Sequence, residues 1–432
     1  MRPHPFLVVA LVGSLLGFLF ASVSTFDFAQ HLDRQVHGLH CSFIPGLGEA
    51  ASTGSGCEVT LMSSYSSVMR DTVWGGVPIA LPAMGVFAFF VFFLIDLMIG
   101  RRQLDKRSTG FLLLGSAVPG LTSLVMAYIS LTELDAACKL CIGIYISSAL
   151  LFTGALGLFI RASSTPGKVS AFDADTSSTG DEPAWAGAGE SAEVEEAWAV
   201  PRNRLAATTQ ASYAFLAAAF VVGVIFVAVP VIAYLAAAPD HSEFIGQCGV
   251  LEKMPDSELL IPIGPQHGTT ALEVFDPLCP ACRGFEQALE RTRFNDELAR
   301  QAVLFPLDSE CNWMLSESVH PGACTVSKAV ICADERADEV IDWAFANQEK
   351  ILAAAKSDSG AAKRMVAEKF PHLEKCVGSA KAKQKLNRSL RWAVDAKLRV
   401  LTPQLFVSGK RLCDEDVDLG LEFALSRMLE QR

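Results

Sequence analysis

The chain has no excess of positive charge. Its 432 residues carry 36 lysines and arginines against 47 aspartates and glutamates, a formal net charge of −11. That balance argues against a nucleic-acid partner. It also lacks a GxGxxG fingerprint or P-loop in a strand-to-helix context, so it offers no nucleotide cradle. The pair Cys279–Cys282 is not joined by a second ligand pair, and no histidine follows it at finger spacing. A zinc site therefore has no basis here, and no metal is expected. What is plentiful is apolar residues, at 51%, and cysteine, at twelve. So many cysteines point to an oxidising compartment or to redox work.

Five segments reach the ~20 apolar residues that a hydrocarbon core requires: 5–26, 76–100, 110–131, 138–160 and 211–238. The first also has the charged start and small-residue end of a secretory signal, but four spans follow it and a retained helix is expected. Between the second and third lies RRQLDKR, with Arg101, Arg102, Lys106 and Arg107. The positive-inside bias puts this loop in the cytoplasm. Counting spans from it places Cys41, Cys57, Cys138, Cys141 and the eight cysteines after Pro239 on, or at the edge of, one outer face. No cysteine is left inside. Residues 161–210 are small, acidic and poor in β-branched side chains, so they read as a cytoplasmic linker that cannot fold alone.

After the fifth span the patterns alternate. TALEVFDP reads as a strand, CRGFEQALERTRF as an amphipathic helix and AVLFPLD as a second strand. A mostly helical stretch over 325–397 leads to a hairpin of QLFVSG with KRL and a closing helix, DLGLEFALSRML. This order is that of an α/β fold of thioredoxin type. In EVFDPLCPACRGFEQ the CxxC falls between strand and helix. Cys279 then sits at a helix N-terminus, where unpaired N–H groups favour its anion, and Cys282 lies one turn on. The pattern predicts an attacking thiolate and a resolving thiol. Thr402 and Pro403 precede the hairpin, at a position where proline is unusual unless the backbone is needed there.

From about residue 262 to the end, on CPAC, the Thr-Pro element and the helical insertion, the chain resembles the DsbA-like branch of the thioredoxin family. The resemblance implies thiol–disulfide exchange with protein substrates, and a Thr402–Pro403 element that lies against the cysteine pair and presents backbone to substrate. It also implies that Cys311 and Cys324, flanking a short loop, form a structural disulfide. Six cysteines allow fifteen connectivities, and the pairing of Cys248, Cys332, Cys376 and Cys413 stays open. His320 beside Pro321 is expected to be structural.

Residues 7–160 resemble the vitamin K epoxide reductase family. The likeness rests on Cys41 in GLHCSF, Cys57 in SGCEVTLMSSYSSV, CKLC with Cys138 and Cys141, the serine-rich stretch with Ser63, and Tyr145. Arg70–Gly75 look like a small insertion relative to it. Bacterial members often carry a fifth span and a fused thioredoxin-like domain. The expected architecture is therefore a membrane α-helical bundle, with a four-helix core in 1–160, a linker in 161–210, a fifth span in 211–238 and a DsbA-like domain in 239–432.

The two resemblances together imply a relay. Dithiols of secreted or periplasmic proteins are oxidised at Cys279 and Cys282. Electrons pass to Cys41 and Cys57, then to Cys138 and Cys141, and finally to a membrane quinone, ubiquinone or menaquinone, near Tyr145 and Ser63. The protein would sit in a bacterial inner membrane with the thioredoxin-like domain on the periplasmic side. Two other readings stay open: a reductase or isomerase that runs the other way, and a membrane-anchored, chaperone-like binding module.

Overall fold

The computed structural model describes residues 3–33, 60–61, 63–134, 136–164 and 211–430. Cys41, Cys57 and nearly all of the acidic linker lie outside the described residues. The five apolar segments each form one helix: α1 (Pro5–Ala29), α2 (Ala80–Ile99), α3 (Lys106–Thr132), α4 (Lys139–Ser164) and α5 (Tyr213–Ala237). They are the helices long and apolar enough to cross a bilayer among the described residues, and the chain is a multi-pass membrane protein. Backbone groups in hydrocarbon find no water, so a spanning segment must satisfy them within itself.

The chain divides into two compact units. The first comprises 1–19, 83–127 and 142–227. Its core joins Leu7 and Ala10 of α1, Phe87, Phe93 and Leu97 of α2, Leu112 of α3, and Leu151, Ala155 and Leu158 of α4. Two glycines let α1 and α4 touch. A Cβ on Gly154 would fall 2.6 Å from the Ala10 nitrogen, and one on Gly13 would fall 2.7 Å from that of Leu151. Lipid supplies no hydrophobic drive between helices, so close backbone approach through small residues takes its place. The basic loop is tied down too. Asp105 accepts hydrogen bonds from the Ser108 amide and hydroxyl at the start of α3. Arg102 and Arg107 lie over the rings of Phe215 and Tyr213, at 4.3 and 4.4 Å.

The second unit comprises 20–82, 128–141 and 228–432. A short hairpin, β1 (Ser67–Val68) with β2 (Val77–Pro78), precedes α2. The main sheet holds β3 (Ile261–Pro262), β4 (Thr269–Phe275), β5 (Leu298–Leu304), β6 (Gln404–Val407) and β7 (Lys410–Arg411), in the order β3-β5-β4-β6-β7. β4 and β5 are parallel, joined through α6 (Pro280–Glu290), while β3, β6 and β7 pair antiparallel. A parallel pair needs such a crossover. β4 is buried except at Thr270, which explains its near-continuous apolar run. β5 begins at Leu298, ahead of the AVLFPLD that the sequence suggested, because its polar Arg300 is itself buried in an ion cluster. Between β5 and β6 lie α7 (Ala323–Ala333), α8 (Ala337–Ala346), α9 (Gln348–Ser357), α10 (Ala361–Lys369), α11 (Glu374–Val377) and α12 (Ala380–Asp395), and α13 (Leu421–Glu430) closes the unit. The class is as expected: an apolar helical bundle with an α/β domain of thioredoxin type that carries a helical insertion between β5 and β6.

Arg70–Gly75, read from sequence as an insertion, form the turn of the β1–β2 hairpin. Trp74 is 2% exposed and shares one core cluster with Phe28, Leu32, Leu419 and Leu421. Its indole N–H donates to Asp416 Oδ1 at 3.3 Å. Gly420 makes room, since a Cβ there would lie 2.5 Å from the indole nitrogen. At the rim Arg293 pairs with Asp71 at 2.7 Å. This hairpin is thereby packed onto the thioredoxin-type domain.

Candidate active site

β4 ends at Phe275 and α6 begins at Pro280. Cys279 caps the helix in an extended conformation, φ −81° and ψ 118°, with Pro280 at the first helical position. Proline suits that position because its missing N–H has no intrahelical acceptor there. The Cys279 amide donates to the Asp276 carbonyl at 3.0 Å, which closes the turn. Cys279 is 4% exposed and Cys282 is fully buried. The loop before β6 brings in Thr402 and Pro403. Their peptide bond is cis, and the Cys279 thiol faces the Thr402 carbonyl at 3.6 Å. The Thr402 hydroxyl is buried with no hydrogen-bond partner among the described residues.

The two sulfurs differ sharply in acidity. The Cys279 thiol is lowered to about 6. The hydrogen bond from the Cys282 thiol is the largest cause; burial opposes it, and the Thr402 contact, the Cys282 amide and the charge of His320 add to the lowering. Cys282 is pushed well above its ordinary value, first by burial and then by the Cys279 sulfur. One member of the pair is thus a thiolate at neutral pH and the other holds its proton. A low-pKa sulfur is both a good attacking group and a good leaving group.

A buried ion pair underlies the CxxC turn. Asp276 is fully buried and accepts from the Leu278 amide at 2.8 Å, the Leu307 amide at 2.8 Å and His320 Nδ1 at 2.7 Å. Burial alone would lower the basicity of His320. The hydrogen bond and charge of Asp276 outweigh it, helped by Cys279 and Asp308, and the net shift is upward. Sequence reading placed His320 in a structural role. The structure adds an electrostatic one, since its charge favours the Cys279 thiolate. Asp276 stands in the quoted motif, but nothing in the sequence links it to a histidine 44 residues away.

Three disulfides brace this domain: Cys311–Cys324, Cys332–Cys376 and Cys248–Cys413. Cys324 and Cys332 hold α7 near its two ends. That helix contributes Ala323, Val326, Ala329 and Val330 to the core cluster that contains Cys279 and Cys282. Cys248, Cys413 and Glu415 have ligand atoms within 4.8 Å of one another, but two of the three are joined in a disulfide.

On the membrane side, Cys138 and Cys141 stand at the head of α4, packed with Val23, Leu140 and Phe20. Tyr145 is one turn further along α4 and partly buried. The Ser63 hydroxyl donates to the Thr60 carbonyl at 2.8 Å. Cys41 and Cys57 lie outside the described residues.

Fold and site together define a thiol oxidoreductase of thioredoxin type, carried on a bundle of membrane helices. Residues 8–156 match the family model described as the vitamin K epoxide reductase family. Outside that match the chain carries the thioredoxin-type domain. Among solved structures it is similar to reduced DsbA1 from Neisseria meningitidis, at 16% identity and a TM-score of 0.29, covering 42% of this chain and 95% of that one. It is also similar to a thioredoxin-like oxidoreductase from Silicibacter pomeroyi, at 16% identity and a TM-score of 0.25, covering 36% and 84%. The domain's thioredoxin-type class rests on its own strand order and CxxC placement. No curated protein matches the chain.

Proposed function

We propose that the protein forms disulfide bonds in extracytoplasmic proteins and passes the electrons to a membrane quinone. The single observation behind this reading is the Cys279 sulfur: at a helix N-cap, beside the Thr402 carbonyl, with a pKa of about 6. Stabilising the thiolate stabilises the reduced form, so the Cys279–Cys282 disulfide is a willing oxidant. In the forward direction a substrate thiolate attacks the Cys279 sulfur and Cys282 leaves, taking up a proton; a second substrate thiolate then attacks the substrate sulfur of the mixed disulfide, and Cys279 leaves as the stabilised thiolate. Thr402, with its buried and unengaged hydroxyl and its backbone at the sulfur, orients the incoming chain together with Pro403.

The reduced pair is re-oxidised by a Cys41–Cys57 disulfide, and the electrons continue to Cys138 and Cys141. The apolar setting of that second pair, with Phe20, Val23 and Leu140, fits a hydrocarbon-soluble acceptor such as ubiquinone or menaquinone, with Tyr145 and Ser63 near it. The acceptor supplies a two-electron sink. What the chain's own residues supply is the Cys138–Cys141 sulfur pair and the surrounding exclusion of water. In this reading the basic loop 101–107 is cytoplasmic and the thioredoxin-like domain periplasmic, with the membrane domain over 1–160, the linker over 161–210 and the fifth span over 211–238.

The test is turnover. The full-length protein in detergent, given a reduced model protein and a soluble ubiquinone analogue, should yield one quinol per disulfide formed. Absence of quinol production ends the coupling, and a Cys279–Cys282 potential close to that of thioredoxin, about −270 mV, reverses the direction of flow.

A further inference from the structure

A second sulfur site stands apart from the CxxC pair. A cleft of about 820 Å³ opens along α12, with the Cys332–Cys376 disulfide in its wall. Cys376 is exposed and Cys332 partly so. Lys381, Lys385, Arg388 and Arg391 line it from one helix face, against Glu258 and Asp334. Arg388 is paired with Glu258 at 2.8 Å. Lys381, Lys385 and Arg391 have no ion-pair partner among the described residues. An attackable disulfide therefore faces a cleft of net positive charge.

The same domain contains a natural contrast. Cys248–Cys413 also presents one exposed sulfur, that of Cys248, with Cys413 buried. Its immediate neighbour is the Glu415 carboxylate, within 4.8 Å of both sulfurs. The nearby Arg411 is taken up by Asp414. Cys311–Cys324 has no exposed cysteine: Cys311 is half-buried and Cys324 fully buried. Accessibility thus leaves two disulfides open to a small reagent, and charge separates them.

We infer that Cys332–Cys376 is an exchangeable disulfide whose partners are small thiols bearing carboxylate or another anionic group. The thiolate of such a molecule attacks Cys376 Sγ, the S–S bond breaks, and Cys332 leaves as a thiolate. A second molecule attacks the reagent sulfur of the mixed disulfide and releases the Cys376 thiolate. Two small thiols are oxidised to their disulfide, and one protein disulfide gains two electrons. The cations of the cleft concentrate the anionic reagent and stabilise both thiolates as they form. Opening the bond frees the end of α7, whose side chains share a core with Cys279 and Cys282. This site is independent of the quinone reading, and its readout does not depend on turnover.

The experiment pulses the full-length protein in detergent with mercaptoethanesulfonate, mercaptoethanol or cysteamine at one pH. Acid quenching, differential alkylation and mass spectrometry then give the opening rate of each disulfide. The ratio of the rate at Cys332–Cys376 to that at Cys248–Cys413 cancels the intrinsic reactivity of each reagent. We expect that ratio to be about tenfold or more higher for the sulfonate than for cysteamine, and to shrink in 1 M salt. It should collapse in a K381Q/K385Q/R391Q variant, while the Cys248–Cys413 rate stays unchanged and so reports an intact fold. A single Lys385→Gln variant, with a partial loss, serves if the triple variant does not fold. Ratios equal across the three thiols, or unaffected by removal of the cations, overturn the inference.

Discussion

Replacing His320 with glutamine keeps a hydrogen-bond donor beside Asp276 and removes the positive charge that favours the Cys279 thiolate. The consequence follows from linkage. With a pKa of about 6, Cys279 is about nine-tenths thiolate at pH 7. Relative to an ordinary thiol this stabilises the reduced pair by about 1.4 kcal/mol, or ~30 mV in a two-electron couple. The sign is that of a lowered acid. The stabilisation is fully present above the ordinary thiol value and is lost as pH falls through about 6. Loss of the His320 charge while Asp276 stays buried raises the thiol. The thiolate fraction at pH 7 then drops, and the potential becomes more reducing by less than the ~30 mV that the whole thiolate stabilisation supplies. The assay is equilibration of the Cys279–Cys282 pair with a glutathione buffer at several pH values, with thiolate absorbance followed in parallel. The potential of the wild-type protein should fall by ~59 mV per pH unit below about pH 6 and by ~30 mV per unit above it, because one proton rather than two then accompanies the electrons. In the variant the break should sit at a higher pH. A break that stays near 6 without His320, or a wild-type break above 8, refutes the assignment of the histidine.

Other predictions test separate parts of the molecule. Trp74→Ala should destabilise the second unit by about 3–5 kcal/mol, because it empties a core position and leaves Asp416 without the indole donor; pulse proteolysis of the full chain reads it, and a loss under 1 kcal/mol would mean the hairpin is not packed as described. Glu273 is raised to about 7 by burial first and then by Glu286, against the pull of Arg300. The folded chain therefore holds a proton that the unfolded chain gives up above pH 4.5, so stability should fall as pH rises through that window. Glu273→Gln should flatten this dependence, measured by denaturant midpoints at pH 5 and pH 7.5. Arg300→Met leaves Glu273 and Glu286 without their shared cation and should cost about 3–5 kcal/mol, read the same way. Cys141→Ser should abolish quinol production while the isolated half-reaction, oxidation of a substrate by the pre-formed Cys279–Cys282 disulfide, proceeds at the wild-type rate in a single-turnover experiment.

The legible parts of this protein are those in which chemistry is local. A spanning helix must satisfy its own backbone in lipid, so its length and apolarity are written in consecutive residues, and five such runs became five helices. The CxxC turn is local as well: strand, short turn, cysteine cap and proline at the first helical position follow one another within TALEVFDPLCPAC. The thioredoxin-type class of the domain was legible for the same reason, through the order of its elements.

What stayed hidden depends on groups that meet only when the chain is folded. The start of β5 at Leu298 was hidden because the carboxylate partners that let Arg300 be buried come from β4 and α6. The packing of Trp74 was hidden because its partners Asp416 and Gly420 lie more than three hundred positions later. Likewise, six cysteines carry no pairing in their spacing, whereas their sulfurs in space do. Sequence by itself determined the apolar helices and the CxxC motif with the Cys279 sulfur at a helix start, since each is a property of neighbouring residues. Tertiary structure alone decided how strongly that sulfur is ionised and which disulfides face solvent, because desolvation and charge act through distances that chain order does not record.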